Sequence, residues 1–317
     1  MIARHRWFPF AAAAAVLAAA VFSTARTIGF PLRSEAGRKL KIVATVFPLA
    51  EFAREICGER GEVLLLLPAG ADVHHWLPRI SDVRKLQAAD LLISIGKGLE
   101  PWLSSLVKGS AARTIPAMEA AEGLDLIPAG GKAEEAEHSH GSVDPHVWLD
   151  FGQDMKIVEA LTRALSGTAP ESAALFSRNA EGVNARLRRL DESYRASLDP
   201  FRGRSFFIAG HAAFAYLARR YGLVQISLTG LSPDAETTPR QTAAAISRAK
   251  AEGIKTVYFE PSTGDKMARL IAAEIGADVR PLYPGHNLES GQEGGAMTFF
   301  QFMERNLENL VHGFTGR

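Results

Sequence analysis

Short runs of β-branched and aliphatic residues alternate along this chain with segments whose apolar positions recur every three to four residues. Lys41–Phe47, Val63–Leu67 and Leu91–Ile95 predict strands, and a weaker run at Leu124–Ile127 predicts another. Pro48–Cys57 and Ser81–Ala89 carry helical spacing between them, with Ser81 placed as an N-cap. After residue 200 the alternation returns. Ser205–Ala209, Leu223–Leu228, Thr256–Phe259 and Asp278–Leu282 read as strands; Ala213–Tyr221, Pro239–Glu252 and Gly264–Ile275 read as helices. Thr238-Pro239 opens the second of these with a capping residue followed by proline at the first helical position. A last amphipathic helix spans Met297–Val311.

Strands alternating with helices imply parallel pairing, because a parallel crossover needs a helix-length connection. Between the two blocks, Glu171–Leu198 contains no proline and repeats apolar residues at Leu175, Val183, Leu187, Leu190 and Tyr194. A helix of that length runs on the order of 40 Å, with Gly182 its weak point. The predicted fold class is therefore α/β: two similar lobes with parallel-rich sheets, joined by one long helix. The expected segments are 40–168 for the first lobe, 169–199 for the connecting helix and 200–317 for the second. A ligand site is expected in the cleft between the lobes.

Two stretches break the pattern. Arg4, His5 and Arg6 precede an apolar run from Trp7 to Phe22 and the small residues Ser23-Thr24-Ala25. This is the layout of a secretory signal over 1–25, followed by a polar lead-in over 26–39. The competing reading is an uncleaved membrane anchor. Export places the protein in a periplasm. Cys57, the only cysteine, has no partner for an intramolecular disulfide and sits on the apolar face of a helix as a small hydrophobe. The second stretch, 130–142, holds Glu134, Glu135, Glu137, His138 and His140 with almost no apolar content. It reads either as a weak metal-capturing loop or as a plain surface insertion.

Charge excludes one class of partner. Lys and Arg number 36 against 35 Asp and Glu, and no basic stripe suits nucleic acid. The chemistry lies in histidines. His74, His146 and His211 occur in Asp72-Val73-His74, Asp144-Pro145-His146 and Gly210-His211, each past an apolar run read as a strand. Loops at the carboxyl ends of parallel strands converge, so distant histidines can meet around one ion. His75 is assigned to the rim. Trp76 and Trp148 are assigned to packing. Enzymatic motifs such as His-Glu-x-x-His, Gly-x-Ser-x-Gly or a phosphate loop are missing from the sequence. For a zinc hydrolase, Glu260 is the best general base; its alternative is a carboxylate that orients a ligand histidine from behind.

Gly70-Ala71-Asp72-Val73-His74-His75-Trp76-Leu77-Pro78, Asp144-Pro145-His146-Val147-Trp148-Leu149 and His211-Ala212-Ala213-Phe214-Ala215-Tyr216, with Asn306-Leu307-Glu308-Asn309-Leu310 near the end, resemble the motifs of metal-specific solute-binding proteins of ABC transporters (cluster A-I), which deliver zinc or manganese. The resemblance covers nearly everything after Leu40. It implies the two-lobe fold with a rigid connecting helix, a monomeric periplasmic receptor that hands its ion to an inner-membrane ABC permease, and no catalysis. Histidine at the third position, His211, implies Zn2+ over Mn2+, and the His138/His140 loop looks like a trimmed histidine-rich loop of zinc receptors. The chain departs from the family pattern twice. Val73 replaces a proline, which is expected to loosen the first ligand loop. Tyr283 stands near the position of the family's acidic fourth ligand, leaving His286, Glu289 or water to complete the site.

Overall fold

The computed structural model describes residues 38–109, 115–129, 143–231, 238–289 and 297–316. The signal segment, most of the lead-in and the His138/His140 loop lie outside the described residues. In chain order the first lobe contains β1 (Leu40–Ala44), α1 (Phe47–Cys57), β2 (Gly61–Leu65), α2 (Ile80–Gln87), β3 (Leu91–Ser94), α3 (Leu103–Gly109) and β4 (Ala117–Glu119). Two long helices follow, α4 (Phe151–Thr168) and α5 (Ala173–Leu198). The second lobe contains β5 (Ser205–Ile208), α6 (Ala215–Tyr221), β6 (Val224–Ser227), α7 (Pro239–Ala251), β7 (Thr256–Phe259), α8 (Lys266–Ile275) and β8 (Asp278–Pro281), and α9 (Phe299–Thr315) closes the fold.

Both sheets are wholly parallel and share one topology, β2-β1-β3-β4 in the first and β6-β5-β7-β8 in the second. Strand order reverses at β1/β3 and at β5/β7, and a crevice opens at such a switch point because the flanking loops turn in opposite directions. The two lobes use theirs differently. In the first, Glu100 fills it, accepting from the Thr45 hydroxyl at 2.5 Å and from the Ile95 and Gly96 amides, both at 2.9 Å. In the second, the loops after β5 and β7 carry His211 and Glu260.

Several sequence expectations need correction. The first strand stops at Ala44, and Phe47 already begins α1. Leu124–Ile127 is no strand. The fourth strand is the three-residue β4, too short to show an alternation, while 124–127 runs irregularly to an isolated antiparallel bridge between Pro128 and Val143. Consequently His146 does not follow a strand; it immediately precedes a 3₁₀ turn, Val147–Leu149. Ser81 does not cap α2, whose first residue is Ile80; Asp82 instead accepts the Arg79 amide proton at 2.8 Å. The Thr238 cap of α7 does form, with its hydroxyl accepting from the Gln241 amide. Helix α4 escaped the sequence reading, although Asp150 caps it by accepting from the Gly152 and Gln153 amides.

α5 is continuous through Gly182 and buries Phe176, Ala180, Val183, Leu187, Leu190, Tyr194 and Leu198, a stripe at spacings of three and four. The largest apolar cluster does not stop at either lobe. It joins Phe52 of α1 and Trp148 to Phe151, Tyr194, Tyr216, Phe299 and Phe302, with Phe151 edge-on to Tyr194 at 5.0 Å between ring centroids. The Tyr194 hydroxyl donates to the Met303 carbonyl at 2.5 Å, fastening α5 to α9. Smaller clusters cover the outer faces of the two sheets. This shared core includes Val73, Val147 and Ala213, and so fixes the loops that carry His74, His146 and His211 relative to one another.

Candidate metal centre

His74, His146 and His211 converge. Each offers a ring nitrogen within 4.8 Å of the others', and their exposures are 3, 0 and 2%. Ring centroids form a triangle with sides of 5.7, 5.8 and 5.1 Å. Three elements place them: the loop after β2, the turn before α4 and the loop after β5.

The backbone of each histidine is pinned by a carboxylate. Asp72 Oδ1 accepts the His74 amide proton at 2.8 Å, and Asp144 Oδ1 accepts that of His146 at 2.9 Å, so the repeated Asp-x-His spacing builds the same tight turn twice. Glu260 Oε1 accepts the His211 amide proton at 3.1 Å. Two of these carboxylates also hold the rings, with Asp144 Oδ1 2.7 Å from His146 Nδ1 and Glu260 Oε1 2.6 Å from His211 Nδ1. A carboxylate at Nδ1 keeps the proton there and turns the Nε2 lone pair towards the centre. The two Nε2 atoms then face each other at 3.2 Å. Two lone pairs at that distance repel unless a proton or cation lies between them. Buried imidazole nitrogens drawn together, two of the rings backed by carboxylates, fit a zinc-type ion.

Charges follow this geometry. Burial pulls the His211 pKa down, but the Glu260 charge and hydrogen bond, with the Asp72 and Asp144 charges adding, more than offset it and the net shift is upward. Glu260, whose burial alone would raise its pKa, is held below the usual range by His211. Gly210 is required here, because a Cβ at that position would lie 2.4 Å from Glu260 Oε1.

His286 is buried on the loop after β8 but does not belong to the set of nitrogens within 4.8 Å of one another. Its Nδ1 is buried without a hydrogen-bond partner among the described residues. Burial, opposed by Asp72 and reinforced by His211 and His146, pushes its pKa down to about 4, leaving a neutral donor at physiological pH. Its loop is clamped to the first lobe. The His286 carbonyl accepts from Phe47 N at 2.9 Å, Asn287 Nδ2 donates to the Pro68 and Ala71 carbonyls, and Gly70 N donates to the Leu288 carbonyl. Tyr283 points elsewhere, packed on Phe302 at 5.0 Å, while Asn306 brackets its backbone.

Other assigned residues fall as follows. His75 turns outward, its Nδ1 3.1 Å from Asp72 Oδ1. Trp148 walls the centre, 5.3 Å from His146 between ring centroids, and its indole donates to the Pro284 carbonyl. Trp76 packs edge-on against Trp102 at 4.6 Å. Val73 is fully buried, and its carbonyl accepts the Trp102 indole proton at 2.8 Å, which ties down the loop expected to be loose. The sequence reading missed the roles of Asp72 and Asp144, for which the repeated Asp-x-His was the available signal. It also missed Tyr216, whose hydroxyl reaches across from α6 to donate to the Asp144 carbonyl at 2.8 Å.

Two matching parallel-sheet lobes on a shared core, with a buried histidine cluster at their junction, define a two-lobed metal-binding protein. The family model described as zinc-uptake complex component A, periplasmic, matches residues 42–313, and the chain belongs to that family. It is 32% identical over 287 residues to the zinc-binding protein AdcA of Streptococcus pyogenes serotype M1, covering 86% of this chain but only 55% of that protein. It is also 32% identical to the high-affinity zinc uptake system protein ZnuA of Bacillus subtilis, covering 86% of this chain and 87% of that one. The crystal structure of the Zn(II)-bound ZnuA-like domain of Streptococcus pneumoniae AdcA superposes with a TM-score of 0.73 at 31% identity, over 87% of this chain and 98% of that domain.

Proposed function

We propose that this protein is a periplasmic zinc receptor that delivers the ion to an ABC permease of the inner membrane. The observation that carries the reading is the triangle of buried imidazoles at His74, His146 and His211, two of them backed by carboxylates. Zinc is the cargo, and these three nitrogens are its ligands. His286 is the fourth, supported by its neutral, unpartnered Nδ1 and by its clamped loop; Glu289 and water are the alternatives. An all-nitrogen set favours zinc over manganese, which prefers oxygen donors. The relatives named for zinc binding and zinc uptake support the same choice.

Hydrolysis is the weaker reading. A catalytic base has to reach a metal-bound water, whereas Glu260 Oε1 is engaged with the backbone and Nδ1 of His211 on the side away from the centre. Calorimetric titration of the mature protein with zinc and with manganese tests the proposal. One tight zinc site that is lost in His146→Ala is the expected outcome. Equal or tighter manganese binding would overturn the metal assignment.

A further inference from the structure

Three carboxylates surround the histidines, but they do not meet solvent equally. The side chains of Asp144 and Glu260 are each 2% exposed, whereas that of Asp72 is 38% exposed. Asp72 is thus the one of the three that faces solvent while holding the backbone of His74. Its Oδ1 is occupied by the His74 amide and by the ring of His75, itself 43% exposed. No lysine or arginine among the described residues pairs with it, so no fixed positive charge among them cancels it.

An approaching hydrated dication loses its water only on reaching the imidazoles, so a solvent-facing carboxylate beside the first ligand acts on the encounter before any coordination bond forms. Attraction of this kind raises association rates and is screened by salt, whereas a direct ligand chiefly slows release. We infer that Asp72 is the capture residue of the zinc centre: its exposed carboxylate draws the cation to the mouth beside His74 and speeds loading, without entering the final coordination shell. This rests on the zinc-receptor reading.

Asp72→Asn isolates the charge, because an asparagine oxygen can still accept the His74 amide proton and preserve the turn. Stopped-flow loading of zinc from a weak fluorescent chelator gives the association rate constant, and transfer to a strong chelator gives the release rate constant. At low ionic strength the variant is expected to associate roughly three- to tenfold more slowly. The difference should shrink towards unity near 1 M salt, where the screening length is about 3 Å. Glu59→Gln, in the 3₁₀ turn that precedes β2 and so at the opposite end of that strand from His74, should leave association unchanged at every salt concentration. If Asp72→Asn loads at the normal rate, or if its loss is independent of salt, the inference fails. A change confined to release, together with an altered visible spectrum of the cobalt-substituted protein, would make Asp72 a direct ligand and also overturn it. Failure of the unmodified chain to bind zinc at all would defeat the receptor reading itself.

Discussion

Replacing Glu260 with glutamine tests whether the carboxylate behind His211 tunes the ligand. The substitution keeps the size and an acceptor oxygen for the two contacts the Glu260 side chain makes, at 3.1 Å to the amide and 2.6 Å to Nδ1, and removes only the charge. Two consequences of opposite sign follow. Without the carboxylate the imidazole is a weaker donor, and loss of such a partner commonly costs 10- to 100-fold in metal affinity, about 1.4–2.7 kcal/mol. Against this, burial lowers the His211 pKa while Glu260 raises it to a net upward shift, so His211 in the unmodified protein holds its proton to a higher pH than an ordinary histidine. Zinc must displace that proton, and each pH unit below the His211 pKa costs up to about tenfold in apparent affinity. In the glutamine variant burial is opposed only by Asp72 and Asp144, so the proton leaves at lower pH. The affinity deficit should therefore be largest near pH 8 and narrow as the pH falls through the raised His211 pKa. Competition with a chromophoric chelator at pH 8, 7 and 6 measures it. A deficit of constant size, or none at pH 8, would refute the reasoning.

Gly182→Ala in the middle of α5 should raise stability by about 0.5–1 kcal/mol, because a Cβ there meets nothing within 4 Å and glycine is entropically costly inside a helix; urea denaturation would show it, and a loss of stability would contradict it. Asp154 is fully buried with neither carboxylate oxygen partnered among the described residues, and burial, with Asp150 adding, raises its pKa well above the usual range. A raised folded-state pKa means stability that is complete below the unfolded value and lost as pH rises towards the folded one. Asp154→Asn should accordingly be more stable than the unmodified protein at pH 8, with the advantage fading by pH 4 in thermal melts; an advantage independent of pH would be the contrary result.

Much of the fold was legible because the signals are local. Thr238-Pro239 announces α7 by its cap, and the proline-free run from Glu171 to Leu198 announces α5 through its helical repeat. β4 and the segment at 124–127 were misread for the complementary reason. A three-residue edge strand is defined by pairing with β3, Leu92 to Ala117 and Ile93 to Met118, and not by its own composition.

The sequence by itself determined the alternating α/β order and which imidazoles are candidates for the centre, His211 among them. It also supplied the Asp-x-His turns, since two residues and one amide suffice to make them. Tertiary structure decided which nitrogens meet. His146 and His211 are 65 residues apart, and Glu260 lies a further 49 beyond His211, yet their atoms stand at 3.2 and 2.6 Å. That proximity follows from loops emerging side by side at β5 and β7 and from a core running through both lobes. Propensity and periodicity act over one or two turns of chain, whereas coordination geometry depends on how distant strands are ordered and how the helices between them pack.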